Sequence, residues 1–123
     1  MENTMTPRIN QCNGYKKILH LSLYKDAFVV METGEKKEEY RIPGKWIESR
    51  LFNKDGTKKE YDLIKFVNGY GKDKPNFTCI FLGFTECKKT FQKKYSNGLN
   101  VTVQKGDFMI KLGSIIKKEN IKK

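Results

Sequence analysis

Apolar and polar positions alternate over "KILHLSL", Lys17 to Leu23, which predicts a first strand. Leu23, Ala27, Val30 and Met31 then recur at i, i+4, i+7 and i+8 and trace the apolar stripe of a short helix. Ser22 is its expected N-cap, and Gly34 the expected left-handed residue just past its end. "KKEEYRI" follows as a second strand, and "KWIESRLF" as one or two helical turns before the turn signal "NKDGT". "EYDLIKFVNGYG" predicts a third strand with Tyr61, Leu63 and Lys65 on one face, running into the turn-rich loop "NGYGKDKP". "NFTCIFLGF" is apolar on both faces, the pattern of a central strand. Asn97-Gly98 stands between two strand-like arms and predicts a hairpin, and "DFMIKLGSIIKK" supplies a last strand bent at Gly113.

One early helix followed by closely spaced strands predicts an α+β fold, mainly β, in which a small, strongly curved sheet or barrel packs against the helix. The pattern contains no internal repeat and no composition break, and 123 residues suffice for one core. Residues 17–117 form the expected domain. Residues 1–16, polar and carrying Pro7, Asn10, Asn13 and Gly14, read as a loose arm, and 118–123 as a frayed basic tail.

Charge narrows the partners. A formal net charge of +11 favours an anionic one: RNA, DNA, a nucleotide or an acidic protein surface. A general lysine excess explains the same number without any partner. The excess is lysine spread along the chain, which suits diffuse attraction to phosphates more than readout of sequence. No stretch approaches the ~18 apolar residues of a membrane span, so no membrane partner is expected. "MENTMTPRINQCNGYKK" lacks the apolar core of a signal peptide, so the expected location is cytoplasmic. Cys12, Cys79 and Cys87 follow no metal-like spacing and His20 is the single histidine, so neither a metal nor another cofactor is expected. Cys79, inside an apolar run, reads as a buried thiol, and His20 as a structural strand residue.

"GEKKEEYR", Gly34 to Arg41, concentrates six charges between the helix and the second strand. Strand alternation sets Glu39 and Arg41 on one face and Tyr40 and Ile42 on the other, with Tyr40 and Ile42 expected on the core. Lys36, just past the helix cap, is free to turn either way. A Lys, a Glu and an Arg are thereby gathered in a small volume.

Gly34-x-Lys36-x-x-Glu39-x-Arg41 resembles the GxKxxExR signature of the ASCH domain, a member of the PUA-like β-barrel group. A first strand and short helix precede the signature as they do in that family, and "KWIESRLF", "YDLIKFVNGYG" and "GDFMIKLGSII" are similar to the phage and bacterial branch; the resemblance covers roughly 17–117. It implies a cleft between helix and barrel that binds RNA or a nucleotide-like ligand. Some relatives hydrolyse the acyl amide of N4-acetylcytidine, and others are described as ribonucleases. Lys36 matches the lysine of the amidohydrolase branch, whereas Glu39 stands where that branch carries threonine.

The candidate centre is therefore Lys36, Glu39 and Arg41 beside Gly34, with Lys36 and Glu39 as the catalytic candidates if the domain is a metal-independent hydrolase. Arg41 suits bidentate contact with a phosphate or base edge. Trp46 offers a stacking face, and Arg50, four residues on, extends a cationic rim on the same helical side. Asn68 and Tyr70 occupy a loop suited to recognition. Binding of RNA or a nucleotide, hydrolysis of a modified nucleoside or RNA, and docking to an acidic protein remain as three readings.

Overall fold

A computed structural model describes residues 17–121, so the N-terminal arm and Cys12 lie outside the described residues. The chain is mainly β with two helices. β1 (Ile18–Leu23) leads into α1 (Lys25–Glu32), then β2 (Glu38–Arg41) and α2 (Lys45–Leu51). The strands β3 (Leu63–Asn68), β4 (Asn76–Glu86), β5 (Phe91–Lys94), β6 (Asn100–Val103) and β7 (Phe108–Glu119) complete it. Five strands form one sheet in the order β1-β3-β4-β7-β2, curled into a half barrel, and β5-β6 form a separate hairpin. β1 pairs parallel with β3, while every other pairing is antiparallel.

Alternation decides which side of each strand is dry. Leu19, Leu21 and Leu23 of β1 point into the core, with Ile64 and Phe66 of β3 opposite them in register or one step away. Phe28 and Met31 of α1 and Ile47 and Leu51 of α2 close over this layer. β4 is the middle strand. Asn76 to Cys79 are all buried, so this half is covered on both faces as its unbroken apolar run predicts. The β4–β7 ladder shifts register three times, and Gly83 takes a left-handed φ of 93° within β4. Such bulges sharpen local twist, which a half barrel needs. Gly113 is where β7 presses on β4: a Cβ there would meet the Ile80 Cβ at 3.0 Å.

The Asn97-Gly98 hairpin is present, closed by Tyr95 N–H to the Leu99 carbonyl at 2.9 Å, with Gly98 at φ 90°. It lies across β2 and α1. Tyr40 and Phe91 meet edge to face at 5.8 Å, Lys93 pairs with Glu38 at 3.1 Å, and Ser96 donates to Glu35.

Two expectations change. Ser22 lies in β1, and the helix is capped at Tyr24 without a side-chain bond, because Leu23 belongs to the strand and the buried face of α1 rests on Phe28, Val30 and Met31. The C-terminal charged run is ladder up to Glu119 instead of tail: Lys117, Lys118 and Glu119 pair with Thr78, Phe77 and Asn76, and Lys118 bonds Glu32. The buried half of β4 needs those backbone partners whatever side chains carry them.

Candidate functional site

Gly34 starts the site. Its φ of 88° follows the C-cap Thr33, and its N–H returns to the Met31 carbonyl at 3.0 Å. A left-handed residue there reverses the chain without a Cβ penalty. The Lys36 N–H then bonds the Val30 carbonyl at 2.9 Å, which tucks Lys36 beneath the helix it has just left. Its exposure is 3 %. The ammonium donates to the Glu38 carbonyl, to Glu39 Oε1 at 3.1 Å and to Met31 Sδ at 3.8 Å. An ammonium has three N–H groups, so this set occupies all of them.

β2 presents Glu39 and Arg41 to the inside of the curled sheet, opposite the buried Ile110 and Phe108 of β7. This reverses the expected faces: Tyr40 turns outward under the β5–β6 hairpin, and Ile42, past the strand's end and before Pro43, is 79 % exposed. The hairpin supplies the cover that Tyr40 requires, which frees the inner face for the charged pair.

Glu39 accepts from Lys36 at Oε1 and from Arg41 Nε at Oε2, the latter at 2.7 Å. Arg41 Nη2 donates to the Ser22 carbonyl at 2.8 Å. β1 and β2 are the two edges of the sheet, so this guanidinium joins them across the open seam of the half barrel. The three charges form a chain, Lys36 to Glu39 to Arg41, anchored under α1 at one end and on β1 at the other.

The chain does not line one hollow. Arg41, 24 % exposed at its side chain, opens onto a cleft of about 480 Å³ bordered by His20, Ser22, Trp46, Val67 and Tyr70. Gly34 and Lys36 border a different cavity, floored by Phe77 and Cys79, and Glu39 is buried between the two. Trp46 is 51 % and Tyr70 84 % exposed. The Arg50 guanidinium lies 5.1 Å from the Trp46 ring, so the predicted helical pairing holds, although Arg50 itself does not border the cleft. Asn68, the last residue of β3, neighbours the cleft-lining Val67 without bordering the cleft.

No family model matches the chain, and no curated protein or solved structure shows a significant match to it. Its chemistry is read from the side chains. Reasoning from the sequence missed His20 and Ser22 as cleft residues; the outward phase of β1 was the available signal, since His20 and Ser22 alternate with buried leucines. Among the described residues no three His, Cys, Asp or Glu side chains gather as a metal site. Burial pushes the Cys79 thiol up to about 11, away from thiolate chemistry. No helix among the described residues is long and apolar enough to cross a membrane.

Burial also holds the Lys36 ammonium below the ordinary lysine value of 10.5, against the pull of Glu39. A lysine with a lowered folded pKa gives up its proton in the native state before the unfolded state does. Stability relative to a Lys36→Met chain should therefore rise with pH between that lowered value and 10.5. Urea midpoints of both chains across the alkaline range provide the check, and a difference that stays flat or shrinks counts against it.

Proposed function

We propose that the Arg41 cleft binds single-stranded RNA or a nucleotide-like ligand, and that the half barrel is of the ASCH, PUA-like type. The observation that carries the reading is Arg41 itself. Of its five N–H groups, two are bonded to Glu39 and Ser22, which leaves three for a phosphate or a base edge from a guanidinium that cannot swing away. Trp46 beside it is held on one side by Arg50, which leaves the other face for a base. Tyr70 offers a second aromatic ring, and the overall charge of +11 draws phosphates toward both.

The buried pair favours a positioning role over proton transfer. Lys36 has no N–H to spare, and both Glu39 oxygens already accept from cations. Lys36 and Glu39 hold Arg41, and Arg41 meets the ligand.

Trp46 is the sole tryptophan, so its fluorescence reports the cleft alone. Titration with a short oligouridylate at low salt should quench it. Trp46→Ala, followed by anisotropy of labelled RNA, should weaken binding by about 1–3 kcal/mol, the range of one base–aromatic stack, and Trp46→Phe should recover part of it. RNA binding that leaves the indole signal untouched, or no RNA binding at all, would discard the proposal.

A further inference from the structure

A second cleft, of about 710 Å³, lies at the opposite end of β1. Four lysines border it, Lys17, Lys58, Lys59 and Lys111, against the two carboxylates Glu60 and Asp62. Asp62 accepts from the Lys17 backbone N–H at 2.9 Å, so part of its charge is already answered. The cationic excess comes from three separate parts of the chain: the start of β1, the connection after α2, and β7 across the sheet. Lys58 is held in place there. Its ammonium bonds the Phe84 carbonyl at 2.7 Å and stands 4.7 Å from the Phe84 ring centre, which fixes a charge that a surface lysine would let drift. The floor is aromatic, with Tyr61 and Phe81 edge to face at 5.5 Å.

The two clefts share parts. The Tyr61 hydroxyl donates to the Arg50 carbonyl at 2.6 Å, and the guanidinium of the same Arg50 backs Trp46 in the first cleft. Lys17 and Ser22 mark the two ends of the connecting strand, and five steps at about 3.3 Å put them about 16 Å apart.

We infer that the lysine cleft is a second phosphate-binding stretch, so that the ligand is a single-stranded polynucleotide laid along β1 and α2 from Arg41 to Lys58, and not a mononucleotide. The inference rests on the reading of the Arg41 cleft as a nucleic-acid site and specifies its substrate class. A mononucleotide fills one cleft only; a strand engages aromatic and cationic groups in both.

The experiment compares a dinucleotide with an oligouridylate of about ten nucleotides, within the ~4–16 that one small β-barrel site spans. Wild type should bind the longer RNA at least tenfold more tightly. A chain carrying Lys17→Gln, Lys59→Gln and Lys111→Gln, the first and last at exposed positions and Lys59 half-buried, should lose that advantage, leave dinucleotide affinity unchanged, and lower the slope of log affinity against log salt by about 2. The single Lys59→Gln chain should lower it by about 0.7. Arg41→Ala separates the two claims. If the triple variant matches wild type on the long RNA while Arg41→Ala weakens it, the lysine cleft is overturned and the first cleft stands. If the triple variant weakens binding and Arg41→Ala does not, the reading of the Arg41 cleft is overturned. Absence of binding to either RNA overturns both.

Discussion

Replacing Glu39 with alanine should cost about 3–5 kcal/mol of folding stability, the range seen when one partner of a buried ion pair is removed. Among the described residues, Glu39 is the only carboxylate that either Lys36 or the Arg41 guanidinium bonds through its side chain, and it is shielded from water along with Lys36. Its loss leaves two cations in one volume, one of them with no route to solvent. The Arg41 bond to Ser22 then carries the sheet seam alone, and β2, only four residues long, has little else on its inner face to hold it. Lys36→Met should cost less, because Glu39 keeps Arg41 and the methionine fills the hole beneath α1 with apolar atoms. Adding Lys36→Met to Glu39→Ala should restore part of the loss, since the stranded ammonium is then gone. The four chains form a double-mutant cycle readable by urea denaturation. A Glu39→Ala cost below about 1 kcal/mol, the scale of an exposed pair, would mean that the charged chain does not hold the seam.

Much of the fold was legible because the signals were local. The Asn97-Gly98 hairpin, the buried β4 and the short first helix each follow from patterns within a dozen residues. The grouping of Lys36, Glu39 and Arg41 was legible too, since a helix end, a glycine and a strand start are adjacent in the chain. What escaped was set at a distance. The face of β2 is decided by the β5–β6 hairpin, which arrives some fifty residues later to cover Tyr40 with Phe91. Without that cover, alternation alone assigns Tyr40 to the core and the charges to water. The depth of Lys36 depends on the backbone bond from its N–H to Val30, which carries no side-chain pattern. The lysine cleft joins Lys17, Lys58, Lys59 and Lys111, and each of these lysines in isolation is indistinguishable from any other surface lysine.

Arg41→Lys should weaken RNA binding nearly as much as Arg41→Ala, by about 2–3 kcal/mol or roughly 30- to 150-fold, the scale of lost hydrogen bonds to a charged group. Charge is retained in the lysine variant, so a site working by net charge alone would barely notice it. The geometry requires more. Arg41 bonds Glu39 through Nε and Ser22 through Nη2 and still presents donors to the cleft, a spread that only a planar fork provides. A lysine ammonium placed near Glu39 at the inner end of that reach stops short of the cleft mouth, where Trp46 and Tyr70 stand. One placed at the mouth leaves Glu39 with Lys36 alone and Ser22 without its cross-seam donor. Either choice opens the link between the sheet edges, so the lysine variant should also lose stability, which separates it from substitutions at exposed lysines. RNA anisotropy and urea denaturation on the same samples test both halves. Wild-type affinity in Arg41→Lys would reduce the cleft to a patch of positive charge, with the fork and its buried supports irrelevant to recognition.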